Sequence, residues 1–577
     1  MQQKFAPFVW FVILAWWSGD GGATSAHRKK PNIVFMLIDD LGWNDMGWND
    51  QFGQIHSPKI DALRADSIAL DQYYVYRFCS PSRSTFMTGR YPWHIGQHTS
   101  QNLNPMPGIA CGINLEYDFI AKVLKKEGYA TYALGKQHLG FMSKKYTPTY
   151  RGFDHYLGYY SGAEEHFTHE KTGTGDEKSK AFTAYDLANN TGEAVSPCLG
   201  PVGNASATYS SYLYGNESLR ILDSHDPKTP LYMYLAWNNV HAPNEAPDTY
   251  MNLHKRIRNK GRQGLAAMVS ALDDQLTAVV DKLKEKSMWD NTLLVFSTDN
   301  GGNLGGSGSN WPLRGGKYTF WQGGVRGLGF VGGGLVPDHL RGTTYDGFIH
   351  AADWYTTFAA LAGASVKETG PVPPDGIDVS KALLTNSTSP RKEVVVQIIS
   401  NSSGNLHALP PPEFCRHVNG TDAYQHCIPP TDGLLFPEKV MHKNNGEIKG
   451  IKCGVLIQGQ YKLIWGYPGW TNKKWNGWLK PPSQLKANDD SASSLQYPCS
   501  LASPCLFDII ADPTEHRNIA SAHEDVVNRM KSRILELLKG EVTLQASGLC
   551  PTKLGTKPDP AMTRAARKVG FWVPWLV

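Results

Sequence analysis

Four apolar runs are each followed by residues that could do chemistry. Ile33–Ile38 leads into Asp39 and Asp40, and Tyr129–Leu134 leads into Lys136 and His138 in "LGKQHLG". Leu231–Ala236 leads into His241 in "WNNVHAPNEAP", and Leu293–Phe296 leads into Asp299 and Asn300 in "STDNGG". Asp39, Asp40, Asp299 and Asn300 offer only oxygen donors. Ca2+ and Mg2+ take such a set, whereas Zn2+ sites normally recruit His or Cys. Singly, each Asp-rich stretch also reads as a turn, because Asp, Asn and Gly dominate turns. A lone Lys136 or Lys317 reads as surface charge, and a lone His as a structural residue. Their common place after strand-like runs is what makes them a candidate site.

Cys79 adds a different chemistry. In "FCSPSRSTFMTGRYP", Pro81 suits the first turn of a helix, "SRSTFMT" continues it and Gly89 stops it. Cys79 then lies at a helix N-terminus, where free N–H groups and the dipole favour negative charge. A cysteine there reads in three ways: half of a disulfide, a nucleophile with a lowered pKa, or a side chain to be changed into something else.

The elements that must position these residues follow from periodicity. The four apolar runs have the length and the β-branched and aromatic content of buried strands. Phe119, Ile120, Val123 and Leu124 recur at helical spacing before Gly128, and a longer apolar stripe runs from Leu265 to Leu283. Alternation of strands and helices predicts an α/β fold, a large mostly parallel sheet sandwiched by helices. Ligands of such sheets bind beyond the carboxyl ends of the strands, so the polar groups belong at one edge.

From about residue 400 the chain becomes richer in Pro, Ser, Asn and Cys. "CGVLIQGQYKLIWGYPG" reads as a hairpin turning at Gln458-Gly459. Val526, Val527, Met530, Ile534, Leu537 and Leu538 mark one amphipathic helix. The expected organisation is a signal peptide over 1–26, an α/β domain over 27–405 and a smaller α+β domain over 406–577. The polar stretch 161–216 reads as an exposed insertion, and its Ser161 is not expected to join the site.

Composition narrows the function. With 577 residues, 41% apolar and 19% charged, and a net charge of +5, the chain is ordinary and globular. It lacks the concentrated basic patch of a nucleic-acid binder. Lys4, the apolar Phe5–Trp17 and the small residues Thr24-Ser25-Ala26 read as a signal peptide. That apolar run is short for a bilayer span, with an uncleaved anchor as the alternative, and no run of about 18 apolar residues exists elsewhere, so no membrane span is expected in the mature chain. Sequons occur at Asn189, Asn204, Asn216, Asn386, Asn401 and Asn419. Setting Cys79 aside leaves Cys111, Cys198, Cys415, Cys427, Cys453, Cys499, Cys505 and Cys550, an even number that suits up to four disulfides. These features predict a glycoprotein of the secretory pathway, lysosomal or extracellular.

Cys79-Ser80-Pro81-Ser82-Arg83 resembles the C-x-P-x-R signature of the type I sulfatases. The resemblance extends over nearly the whole mature chain through "IDDLGWNDMGW", "GKQHLG", "WNNVHAP", "STDNGG", "NWPLRGGKYTFWQGGVRG" and "CLFDIIADPTEHRNIA". Within the family the chain is most similar to the N-acetylgalactosamine-4-sulfatases of the arylsulfatase B type, on "DDLGWND", "NWPLRGGK", "LIWGYPG" and "FWVPWLV". The resemblance implies an alkaline-phosphatase-like fold and a sulfuric ester hydrolase. Its substrate would be a sulfated sugar, first the N-acetylgalactosamine 4-sulfate of glycosaminoglycans, with other sulfated glycans or small aryl sulfates as the alternative.

The same resemblance implies that a formylglycine-generating enzyme oxidises Cys79 to Cα-formylglycine. It implies one Ca2+ on Asp39, Asp40, Asp299 and Asn300, with residue 79 also on the metal. Arg83 would stabilise the formylglycine hydrate, and Lys136 and Lys317 would hold sulfate oxygens. His138 would contact the hydrate and help break down the covalent intermediate, and His241 would protonate the leaving oxygen. The chemistry is coherent: displacement at sulfur spreads charge over oxygens that a cation and a Lys/Arg clamp stabilise. An imidazole suits proton donation, and the second hydroxyl of a gem-diol can expel sulfate where a serine could not. Two departures from the family pattern stand out, Gln137 for Trp and Gln322 for Glu. A phosphatase or phosphodiesterase of the wider superfamily would use Ser or Thr with two zinc ions. A non-catalytic sulfated-glycan binder would be expected to lose Cys79, Arg83 or a metal ligand, all of which are present.

Overall fold

The computed structural model describes residues 29–97, 110–173, 182–192, 208–400, 451–469, 476–484, 499–540, 560–569 and 571–574. The expected signal peptide, the sequons at Asn204, Asn401 and Asn419, and Cys198, Cys415, Cys427 and Cys550 lie outside these residues.

Each apolar run becomes a strand because its residues can be buried on both faces at once. The large sheet contains β1 (Asn32–Ile38), β2 (Ile68–Leu70), β3 (Ala130–Lys136), β4 (His155–Tyr159), β5 (Ala188–Thr191), β6 (Leu231–Trp237), β7 (Thr292–Thr298), β8 (Gly329–Gly332) and β9 (Thr344–Tyr345). Their order is β9-β2-β8-β7-β1-β6-β3-β4-β5. The central strands β7, β1, β6, β3 and β4 run parallel, with Phe35 beside Val295 and Tyr234, and Leu134 beside Leu235. Antiparallel pairings enter at β7/β8, β8/β2 and β4/β5. The expected mostly parallel α/β sheet is therefore present, with antiparallel strands toward its margins.

Helices α1 (Pro58–Ala65), α2 (Cys79–Thr88), α3 (Ile120–Lys126), α4 (Ser210–Ser224), α5 (Lys260–Glu285) and α6 (Asp353–Ala362) cover the sheet. α5 packs with α1 and α4, whereas α6 packs with α2 and α3, giving two separate layers. Phe35 sets the second layer: it meets Phe86 of α2 edge-on at 5.0 Å and Phe358 of α6 at 5.7 Å. The start of α5 is fixed by Asn259, whose side chain accepts the Arg262 N–H at 2.9 Å.

A second, antiparallel sheet follows: β10 (Glu393–Ser400), β11 (Ile451–Gln458), β12 (Tyr461–Gly466) and β13 (Cys505–Asp508), paired in that order. The expected hairpin is β11–β12, and the expected amphipathic helix is α7 (Glu524–Leu538). α7 lies so close to this sheet that a Cβ on Gly454 would sit 2.5 Å from Ile534.

Three expectations need correction. The small sheet takes its first strand from Glu393–Ser400, upstream of the expected boundary at 405/406, because β10 finds its ladder partner in β11. The chain end also returns to the large unit, where the Trp572 indole N–H donates to the Lys171 carbonyl at 2.8 Å. The stretch 161–216 is not simply an exposed loop: it contributes β5, the hairpin Glu170–Gly173/Phe182–Tyr185 and the start of α4, and it buries Glu164, His166, Asp186, Ser210 and Ser211. Asn189, Asn216 and Asn386 are exposed, as sequons must be. Cys499 and Cys505 form a disulfide and Cys111 is disulfide-bonded, but Cys453 is a free, buried thiol. With Cys453 unpaired, four disulfides cannot form.

Candidate active site

The parallel register brings the carboxyl ends of β1, β3, β6 and β7 to one edge of the sheet. Asp39 continues that register beyond β1: its N–H donates to Asn239 O at 2.8 Å and its carbonyl accepts from Val240 N at 2.7 Å. Asp40 and His138 have φ of 61° and 56°, in the left-handed region. Non-glycine residues held there mark sharp redirections of the chain, which functional sites often carry.

The predicted site residues converge at this edge. The Cys79 thiol lies 3.5 Å from Asp39 Oδ1 and 3.8 Å from Asp40 Oδ1. Lys136 Nζ is 2.6 Å from Asp39 Oδ2, and Lys317 Nζ is 2.6 Å from Asp40 Oδ1. Arg83, one turn along α2 from Cys79, donates Nε to Asp299 Oδ2 at 3.0 Å and Nη1 to the Lys136 carbonyl at 3.0 Å. Asn300 Nδ2 donates to Asp40 Oδ1 at 2.8 Å, and the Asp40 N–H donates to Asp299 Oδ1 at 3.2 Å. His241 Nε2 is 3.7 Å from Asp40 Oδ2. Three carboxylates thus face three cations, all fully or almost fully buried.

Burial sets the electrostatics. It pushes the Cys79 thiol well above its ordinary pKa, and the Asp299 carboxylate adds to this, while Lys136 and Lys317 oppose it without prevailing. A thiol held protonated is a poor nucleophile. Cys79 is also unpaired, so it is not half of a disulfide. Burial raises Asp40, but Lys317 and His241 outweigh it and hold the carboxyl below its usual range. Asp299 is raised by burial and by Asp39. Burial drives His138 far below the usual histidine range, helped by Lys136 and Arg83. His241 is driven down too, burial and Lys317 prevailing over the attraction of Asp40. Burial disfavours the Lys317 charge, yet Asp40 holds its pKa well above normal.

The donor chemistry fits a divalent cation. Ligand atoms of Asp39, Asp40, Cys79 and His241 all lie within 4.8 Å of one another. Asp40 Oδ2 and Asn300 Oδ1 are buried with no hydrogen-bond partner. Buried oxygens left in that state are costly unless something binds them. Asp299 joins this group through the Asp40 N–H, while its other oxygen is taken by Arg83. Both ring nitrogens of His138 are likewise buried without a hydrogen-bond partner.

The segment after β4 was the part of the site that sequence reasoning missed. A Cβ on Gly162 would sit 2.8 Å from the His138 ring, so "SGAEEHF" lies directly against that imidazole. His166 Nε2 donates to the His241 carbonyl at 2.9 Å, and the Glu164 carboxylate accepts from Asn238 Nδ2 at 3.0 Å. The available signal was the cluster Glu164-Glu165-His166-Phe167 inside a stretch otherwise rich in small polar residues. Ser161 turns its hydroxyl to the Ala163 carbonyl at 2.9 Å. The two departures also find places. Gln137 Nε2 donates to Tyr146 O at 3.1 Å. Gln322 Nε2 reaches Tyr74 Oη at 3.4 Å, and its backbone N–H donates to Glu515 at 2.6 Å. Lys317 takes its carboxylate partner from Asp40.

A model of one protein family, described as Sulfatase, matches residues 31–364. Arylsulfatase J of Mus musculus is 30% identical over 554 residues, covering 96% of this chain and 81% of that protein. N-acetylgalactosamine-6-sulfatase of Homo sapiens is 29% identical over 398 residues, covering 67% of this chain and 72% of that protein. Among solved structures, Ps i-CgsB superposes with a TM-score of 0.64 at 26% identity, covering 89% of this chain and 94% of that one. The same protein is also known in complex with k-i-k-neocarrahexaose.

Proposed function

The chain belongs to the sulfatase family and is a sulfuric ester hydrolase, and we propose that it cleaves sulfate from a sulfated sugar through residue 79. The observation that carries this reading is the placement of the Cys79 side chain against Asp39 and Asp40, under Lys136 and Lys317, at a buried sheet edge. N-acetylgalactosamine 4-sulfate of glycosaminoglycans is the first substrate to test, on the motif likeness to that sulfatase type. Other sulfated glycans and small aryl sulfates are the alternative.

Asp39, Asp40, Asp299 and Asn300, with residue 79, would hold one Ca2+, which when bound offsets negative charge on the sulfate oxygens. Formylglycine at position 79, as its hydrate, would supply two hydroxyls on one carbon. Everything else falls to the chain's own side chains. Lys136 and Lys317 bind sulfate oxygens, their ammonium groups already fixed by Asp39 and Asp40, so little reorganisation is needed as charge develops. Arg83 holds the end of α2 in place through Asp299 and Lys136. His241 Nδ1 lies 2.7 Å from the Ala242 carbonyl, a contact that requires the proton on Nδ1. Its Nε2 is then the site that takes up and delivers a proton to the leaving oxygen, favoured by the negative charge of the incoming sulfate. Neutral His138, with both ring nitrogens lacking a hydrogen-bond partner, contacts the hydrate and helps break down the covalent intermediate.

Cys79 is only 1% exposed in the folded chain. Its oxidation by a formylglycine-generating enzyme therefore precedes folding. The exposed sequons and the Cys499–Cys505 disulfide support maturation in the secretory pathway, with a lysosomal or extracellular destination. Among the described residues no helix is long and apolar enough to cross a membrane.

The test is the mass of the tryptic peptide Phe78–Arg83 from protein made in a host that converts a known sulfatase. An aldehyde in place of the thiol is expected, followed by turnover on a panel of sulfated sugars. An unmodified thiol in active protein would refute the role of formylglycine.

A further inference from the structure

The sulfate end of the site is closed, since Asp39, Arg83 and Lys136 side chains are fully buried and Lys317 is 1% exposed. What a substrate presents beyond its sulfate must meet the residues at the mouth. Two aromatic side chains stand there, each next in sequence to a site residue: Phe78 before Cys79 and Tyr318 after Lys317. Both are half-buried. Their ring centroids are 4.7 Å apart at an interplanar angle of 52°. The Lys317 ammonium, 2.6 Å from Asp40, is 5.4 Å from each ring centroid. The two rings and the sulfate-binding charge therefore share one ammonium as their common neighbour.

Tyr318 is held where it is. Its φ of 75° is in the left-handed region, which an aromatic residue seldom occupies. Its N–H donates to the Arg77 carbonyl at 2.8 Å, and Arg77 Nη1 returns a hydrogen bond to the Tyr318 carbonyl at 2.6 Å. This exchange locks the backbone on both sides of the Phe78–Tyr318 pair. His241, with 18% of its side chain exposed, is the most open of the charged and titratable site residues.

We propose that Phe78 and Tyr318 form an aromatic wall on which the ring carrying the sulfate ester packs, so that the pair selects for that ring and leaves sulfate binding to the charged residues. The inference rests on the sulfatase reading of the site. A pyranose turns an apolar C–H face to one side and its hydroxyls to the rim. The electron-rich face of an aromatic ring suits the former. The leaving oxygen then emerges between this wall and His241.

The experiment compares wild type with Phe78→Ala, Tyr318→Ala and Tyr318→Phe, each checked by peptide mass for conversion of residue 79. The probes are a 4-sulfated N-acetylgalactosamine disaccharide, p-nitrophenyl sulfate and inorganic sulfate as a competitive inhibitor. Each alanine variant should lower kcat/KM for the ring-bearing esters about 10-fold, while Ki for inorganic sulfate stays within about 2-fold, since the charged groups that bind it are untouched. Tyr318→Phe, which keeps the ring, should recover most of the kcat/KM that Tyr318→Ala loses. A Ki for sulfate that rises in step with the loss in kcat/KM would mean the rings only organise Lys317, and would overturn the proposal. So would alanine variants with wild-type kcat/KM. A wild-type enzyme with residue 79 converted that hydrolyses none of the esters would fail the reading of the site itself, and the proposal with it.

Discussion

Replacing Lys462 by methionine should destabilise the protein by about 4 kcal/mol at pH 7 but only about 1 kcal/mol at pH 5. Lys462 lies on β12, and its Nζ is 2.7 Å from Glu515 Oε1 with both side chains fully buried. Glu515 Oε2 accepts the Gln322 N–H at 2.6 Å, and its carbonyl accepts from Arg314 Nη1 at 3.3 Å. The pair therefore ties the small sheet to the loop that carries Lys317. Methionine fills similar space but leaves the Glu515 carboxylate with one N–H for company. An unpaired carboxylate at that depth is too costly to keep, so the variant escapes by taking up a proton. Protonating a carboxyl with an ordinary pKa near 4.3 costs about 4 kcal/mol at pH 7 and about 1 kcal/mol at pH 5, which caps the loss.

The sign follows from linkage. In the variant the folded-state carboxyl has a pKa raised above its unfolded value. The penalty is therefore absent below the unfolded pKa, grows as pH rises above it and levels off at the folded one. Equilibrium urea unfolding of the full glycoprotein at both pH values, with Ca2+ present, measures it. The double variant Lys462→Met/Glu515→Gln should recover most of the loss at pH 7, since the Gln322 N–H keeps an acceptor. An equal loss at both pH values would refute the charge argument and leave only packing. A loss under about 1 kcal/mol at pH 7 would put the pair in the range of exposed ion pairs.

Three further outcomes are expected. Cys79→Ala should abolish sulfate ester hydrolysis in a folded protein, and Cys79→Ser should take up one sulfate and stall, seen as a stable mass increase of the Phe78–Arg83 peptide; steady turnover by either would remove residue 79 from the mechanism. Chelation by EGTA should lower activity about 100-fold or more, with Ca2+ restoring it and Asp40→Asn weakening Ca2+ binding by calorimetry; recovery by Zn2+ alone would contradict the all-oxygen reading. Burial holds His166 at about 4 against an ordinary 6.5, so its contribution to stability is present above pH 6.5 and is lost as pH falls toward 4. The loss should amount to about 3 kcal/mol, and His166→Gln should flatten the unfolding free energy over that window; an unchanged slope would show that the ring takes up its proton without unfolding.

The large sheet was legible because its strands are continuous apolar runs, and nothing but double-sided burial accommodates "NIVFMLI" or "LYMYLAW". The site was legible for the same reason: once parallel strands are assigned, the polar residues that follow them have one edge to share. Less could be read where polar residues find partners far along the chain. Glu164, His166 and Asp186 have the composition of a solvent-facing loop, yet they are buried and find partners in Asn238, the His241 carbonyl and the Tyr160 and Ser161 N–H groups. "EVVVQIIS" is plainly a strand, but only its ladder with Ile451–Gln458 decides that it starts the small sheet rather than ends the large one. Cysteine parity allowed four disulfides; a buried, unpaired Cys453 is a fact of packing that parity cannot carry.

Alone, the sequence determined the kinds of groups available: oxygen donors that suit a hard cation, lysines and an arginine that suit an anion, and a cysteine in a C-x-P-x-R motif. The tertiary structure decided which charge faces which. Lys317 lies 277 positions from Asp40 in the chain and 2.6 Å from it in space, and Arg83 spends itself on Asp299 from 216 positions away. Those pairings, made in a buried setting where an unmatched charge is costly, turn a set of suitable residues into an organised site, and they depend on how helices and strands pack rather than on what any local stretch encodes.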